Sequence, residues 1–156
     1  MPSSVLYANG SDWSVFIDWK TVACSLTLEY DQKGLIFISG GSLPDTISFV
    51  DERVMPTRET YKFELRDETG AGISVEAQAR EAGGYGYWQI NGLSKGTVSR
   101  FIRGRALYVN SDMFRPVRYD LRPFSKGVRR FSDCMKTLES KKTPRPSSPP
   151  TTRRMN

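Results

Sequence analysis

Between Thr21 and Tyr30 the chain alternates almost without fault: Val22, Cys24, Leu26, Leu28 and Tyr30 fall on one face, Ser25, Thr27 and Glu29 on the other. A period of two is the signature of a half-buried β-strand, and a helix cannot keep such a pattern on one side. The pattern recurs along most of the chain. Trp13, Val15, Ile17 and Trp19 share a face over residues 12–19, with Phe16 the exception. Tyr61, Phe63 and Leu65 oppose Lys62, Glu64 and Arg66, and Ile73, Val75, Ala77 and Ala79 continue the series. Residues 35–39 are apolar on both faces, as a central strand requires.

Turn signals separate these runs. Asp31-Gln-Lys-Gly34 and Asp67-Glu-Thr-Gly70 read as hairpin turns, and Asn91-Gly92 is the strongest short turn signal in the chain. Further strands are expected over 46–50, 105–109 and 117–121, with Pro123 ending the last because it offers no amide to a ladder. Residues 97–102 fit a short strand or a short helix equally. Strands with turns roughly every 8 to 12 residues predict an antiparallel β-sandwich or barrel of about eight to ten strands.

One segment breaks the period. From Ser125, a candidate N-cap, Val128, Phe131, Met135 and Leu138 recur at helical spacing to Ser140, with Cys134 flanking the stripe. The spacing predicts one C-terminal helix packed on the sheet through those four side chains. Residues 1–11 read as an N-terminal extension, 12–140 as one domain, and 141–156, rich in proline and arginine, as a disordered basic tail.

Composition narrows the chemistry. The 156 residues include no histidine, which removes Ser-His-Asp and Cys-His nucleophiles and histidine-ligated metals. The two cysteines, Cys24 and Cys134, cannot hold zinc alone; they are either two buried thiols or one disulfide. Cys134 lacks the histidine a thiol nucleophile would use. The turn carboxylates Asp51, Glu52, Asp67 and Glu68 have no framework for a glycosidase pair. No cofactor motif is present, and a non-enzymatic protein is expected. No apolar run approaches the roughly 20 residues of a membrane-spanning helix. Residues 1–10 hold neither a charged n-region nor an apolar h-region.

The net charge of +6 is unevenly distributed: residues 1–94 carry −6, 95–138 carry +8 and the remainder +4. The basic segment contains Arg100, Arg103, Arg105, Arg115, Arg118 and Arg122 interleaved with Phe101, Tyr108, Phe114 and Tyr119. Arginines that bridge phosphates beside aromatics that stack bases would suit single-stranded nucleic acid, and the same cations would suit another anionic ligand. Pairing with the acidic first half is the structural alternative. Gly83, Gly84 and Gly86 surround Tyr85, Tyr87 and Trp88, either as a loop presenting aromatics to a ligand or as a hairpin whose aromatics cover the sheet.

The layout of Trp13, Val15, Cys24, Tyr119, Asp120, Leu121, Phe131 and Cys134 resembles the invasion-associated locus B-like proteins and related exported β-proteins of α-proteobacteria. The resemblance spans Trp13 to Leu138 and implies an exported, β-rich fold with a Cys24–Cys134 disulfide; it carries no functional residues. The expectation is therefore a periplasmic or secreted module that binds a protein or anionic ligand through Arg100, Arg103, Arg105, Arg115, Arg118, Arg122, Tyr85, Tyr87 and Trp88. The alternative is a cytoplasmic or viral protein that binds single-stranded nucleic acid through residues 95–130.

Overall fold

The computed structural model describes residues 4–41, 44–52, 54–111 and 116–142. Ten strands form one sheet: β1 (Ser4–Gly10), β2 (Trp13–Asp18), β3 (Ala23–Tyr30), β4 (Lys33–Ser39), β5 (Asp45–Asp51), β6 (Thr60–Arg66), β7 (Gly72–Ala82), β8 (Tyr85–Leu93), β9 (Ala106–Ser111) and β10 (Val117–Asp120). Their spatial order is β1-β2-β3-β4-β5-β8-β7-β6-β9-β10, every neighbouring pair antiparallel. Helix α1 (Thr97–Ile102) lies between β8 and β9, and a 3-10 turn over Arg122–Phe124 leads into α2 (Ser125–Lys142). No helix among the described residues is long and apolar enough to cross a membrane, which does not bear on strands.

The mainly β expectation holds, and between sandwich and barrel the ten strands form one curled half-barrel sheet. Strand twist lets so wide a sheet curl until its inner face meets itself. Phe49 on β5 stacks on Phe63 of β6 at 5.3 Å, although two strands separate them in the sheet. Tyr119 of β10 meets Phe49 at 5.9 Å and Tyr30 of β3 at 5.2 Å. The Tyr30 hydroxyl donates to the Asp120 carbonyl at 3.0 Å, which binds the curled end to β3.

The period-two residues line the inside. Val15, Leu26, Leu28, Leu35, Phe37, Ile47, Leu65, Trp88, Ile90 and Leu107 are all fully buried there. Each buried side chain of this size contributes roughly 1.5–3 kcal/mol. Trp19 is the exception among the residues expected on this face: it is 45% exposed. β2 ends one residue earlier, at Asp18, whose carboxylate accepts the Lys20 and Thr21 amides and turns the chain away.

Three other expectations are corrected. Residues 4–10, read as part of an extension, form a strand paired with β2. Asn91-Gly92 is not a hairpin turn; it is a β-bulge within β8, where Ile47 pairs Ile90 and Asp45 pairs Leu93, and Gly92 takes φ +73°. Ser125 is not an N-cap. It is already helical (φ −57°, ψ −35°), because the 3-10 turn begun at Arg122-Pro123 runs straight into α2.

Helix α2 packs on β1, β2 and β3. Its buried stripe is Gly127, Phe131, Cys134 and Leu138, with Val128 and Met135 half-buried on its flanks. Cys134 therefore sits at the centre of the contact. Gly127 suits the close approach: a Cβ there would stand 3.0 Å from the Trp13 ring, which would have to shift. The Cys24–Cys134 disulfide joins β3 to the helix with Cα atoms 6.2 Å apart. It closes a separation of 110 residues, for which chain entropy gives about 4–5 kcal/mol.

Candidate ligand-binding surface

The antiparallel register brings the basic segment to one end of the half-barrel. Arg66 and Arg118 both stand opposite Tyr108, on either side of β9. One step further along, the Leu121 amide donates to the Arg105 carbonyl, placing Arg122 beside Arg105. Arg100 on α1 reaches the β6–β7 turn, 3.4 Å from Asp67, and Arg103 is the C-cap of the same helix. Arg100, Arg103, Arg105, Arg118 and Arg122 thus gather at one end, all exposed. Phe114 and Arg115 lie outside the described residues, as does the expected tail from residue 143 onward.

Most of these cations have partners. Arg122 grips Asp120 with two hydrogen bonds, 3.0 and 2.9 Å, and Arg118 approaches the same carboxylate at 3.9 Å. The Arg122 hydrogen bonds, reinforced by its charge, hold the Asp120 carboxyl at about 2. The Arg105 amide donates to Glu68 at 3.0 Å. Asp67 is also held below the usual carboxylate range, first by the Thr69 hydroxyl and then by Arg100. Only part of this charge pairing joins the two halves of the sequence: Asp67 comes from the acidic half, whereas Asp120 is a neighbour in sequence.

The aromatic stretch is elsewhere. Trp88 is fully buried, edge-on to Tyr61 at 6.2 Å, and belongs to the core rather than to a presenting loop. Tyr87 points outward beside Arg80 on β7. β7 reaches the arginine end at Gly72, eight residues from Arg80, so about 26 Å of strand separates Tyr87 from Arg66. The backbone of Tyr85 begins β8, beyond Tyr87 on the same strand.

A different aromatic occupies the arginine end. Tyr108 is 40% exposed on the outward face of β9. Arg118 donates through Nε to its hydroxyl at 3.3 Å and lies over its ring at 5.8 Å. A groove of about 340 Å³ runs past it, lined by Glu64, Arg66, Tyr108, Asn110, Pro116 and Arg118 among others. Glu64 and Asn110 also line a larger recess of about 700 Å³, with Lys62, Ser74 and Glu76. Together they cross β7, β6, β9 and β10. Sequence reasoning placed Tyr108 among the interleaved aromatics without assigning it to the site; the available signal was its position between Leu107 and Val109, both buried, on a strand of period two.

Among the described residues, one fully buried carboxylate, Asp45, has a structural task. Asp45 accepts from the Ser39 hydroxyl at 2.7 Å and from the Gly96 and Val98 amides at 3.1 and 2.9 Å. It therefore caps α1 from across the fold, where Gly96 offers no side chain of its own. Among the described residues no group of three or more cysteine or carboxylate side chains could hold a metal ion. No family model matches the chain, and no curated protein or solved structure matches it.

Proposed function

We propose that this protein is a non-enzymatic, exported β-module that binds a ligand or partner on the outward face of β6, β9 and β10. The observation that carries the reading is Tyr108: a large aromatic held exposed in a groove by Arg118, with Arg66 in register on its other side. An outward aromatic fixed by a cation is already organised for contact, which lowers the ordering cost of binding. Export is supported by the Cys24–Cys134 disulfide, since such bonds persist mainly in oxidising compartments. The loose resemblance to exported β-proteins points the same way.

The test has two arms. Cells producing the protein at natural level are quenched in acid and alkylated before reduction; both cysteines are expected to be protected, and two alkylated thiols would remove the case for export. An array of glycans, peptides and polyanions is then probed with the protein, with Tyr108→Ala plus Arg118→Ala, and with Arg103→Ala plus Arg105→Ala. The expected result is a ligand class lost with the first pair and kept with the second. Ligands retained by the first pair would place binding elsewhere.

A further inference from the structure

Resting on that reading, we infer that the groove around Tyr108 takes an uncharged oligosaccharide. The charges in its walls already answer one another. Arg66 pairs with Glu64 at 2.6 Å and also donates to the Gly70 carbonyl at 2.8 Å. Arg118 is shared between the Tyr108 hydroxyl and Asp120. Lys62 stands directly opposite Glu76 in the β6–β7 register. Three cations thus face two wall carboxylates, with Asp120 behind them. A phosphate chain gains affinity when unpaired protein cations replace the counterions condensed on it, and here it would compete with carboxylates at every step.

The same inventory fits a polyhydroxyl ligand. A sugar hydroxyl donates one hydrogen bond and accepts others, so it is best met by donors and acceptors in alternation. Arg66, Arg118 and Lys62 donate, Glu64 and Glu76 accept, and Asn110 and Ser74 do both. Tyr108 supplies the remaining element, a flat apolar face against which the C–H face of a pyranose ring can lie, with the hydroxyl anchored at its edge. The groove and the recess share Glu64 and Asn110 and cross four strands, a width of about 14 Å, which favours a chain of sugars over a single ring.

The experiment titrates the isotopically labelled protein with cellohexaose, chitohexaose and maltohexaose, at low and high salt, and follows backbone amide resonances. At least one probe is expected to shift the amides of Glu64, Ser74, Tyr108 and Asn110 saturably, with affinity changing less than about twofold across the salt range. Tyr108→Ala is expected to weaken that binding by about tenfold or more, Tyr108→Phe by only about threefold or less. Lys136→Ala, at an exposed position on α2 away from the groove, is expected to leave it unchanged. No shift at those amides with any of the three probes overturns the inference, as does binding that Tyr108→Ala leaves intact. A poly-dT oligonucleotide or an acidic peptide that shifts the same amides while the three sugars do not would overturn the sugar assignment and leave the binding surface standing.

Discussion

The two sides of the half-barrel are closed by different means. On the side of β1 to β3, a helix lies across the strands and a covalent bond fixes it there, with Gly127 allowing the backbone to rest against Trp13. On the side of β6 to β10 the closure is aromatic: Phe49, Phe63, Tyr119 and Tyr30 pass contact from one end of the curled sheet to the other. The first side is locked from within and covered. Tyr108 and the grouped arginines stand on the outward face of the second. The contrast teaches that the cross-link and the candidate site divide the molecule, so each can be perturbed with the other as control.

The largest effect is expected from Cys24→Ala with Cys134→Ala, which should lower unfolding free energy in urea by about 4–5 kcal/mol. Hydrogen exchange should accelerate in α2 and β3 before β6 and β9; equal acceleration everywhere would break the comparison. Phe49→Ala should cost about 3–5 kcal/mol and expose amides of β6 and β10 first, because its ring is what both strands close upon. Asp45→Ala should cost about 1–3 kcal/mol and loosen α1 selectively, since three donors lose their acceptor together.

Two pH limbs sharpen the aromatic side further. Burial pushes the Tyr30 and Tyr119 hydroxyls well above their ordinary 10.0, with added repulsion from Tyr119 and Asp120 for Tyr30, and from Asp51 for Tyr119. Their contribution is therefore complete below pH 10 and falls as pH rises past it. Alkaline melts should show that decline, and Tyr119→Phe should flatten it. The smallest effect belongs to Asp120. Its depressed carboxyl contributes fully above 3.8 and loses that contribution as pH falls toward about 2, so Asp120→Asn should remove a slight acid limb.

What the sequence made legible was whatever depends on near neighbours. Tyr61, Phe63 and Leu65 declare their face by alternation, Phe131 and Leu138 by helical spacing, and both hairpin turns by their residues. β1 was invisible because Ser4–Gly10 carries weak alternation, with Val5 and Leu6 each 49% exposed on an edge strand. Asn91-Gly92 looks the same in a bulge as in a turn; only the pairing with β5 distinguishes them. The site was half legible. Arginine clustering showed in the local charge, but the carboxylate that answers Arg100 lies more than thirty residues away in sequence. Trp88 misled for a related reason: glycines around an aromatic suggest a loop, while burial is decided by β7 and β5 on either side.

The bond between Cys24 and Cys134 makes a closed ring of everything from β3 to the middle of α2, leaving β1 and β2 outside it. A protease cutting any one loop within that ring would produce no separate fragments until the bond was reduced. Oxidation is equally constrained: with two cysteines in the chain, intramolecular mispairing has no alternative partner to use. Because Cys134 is synthesised so late, the ring can close only after nearly the whole sheet is available, so the cross-link registers a completed fold instead of directing one.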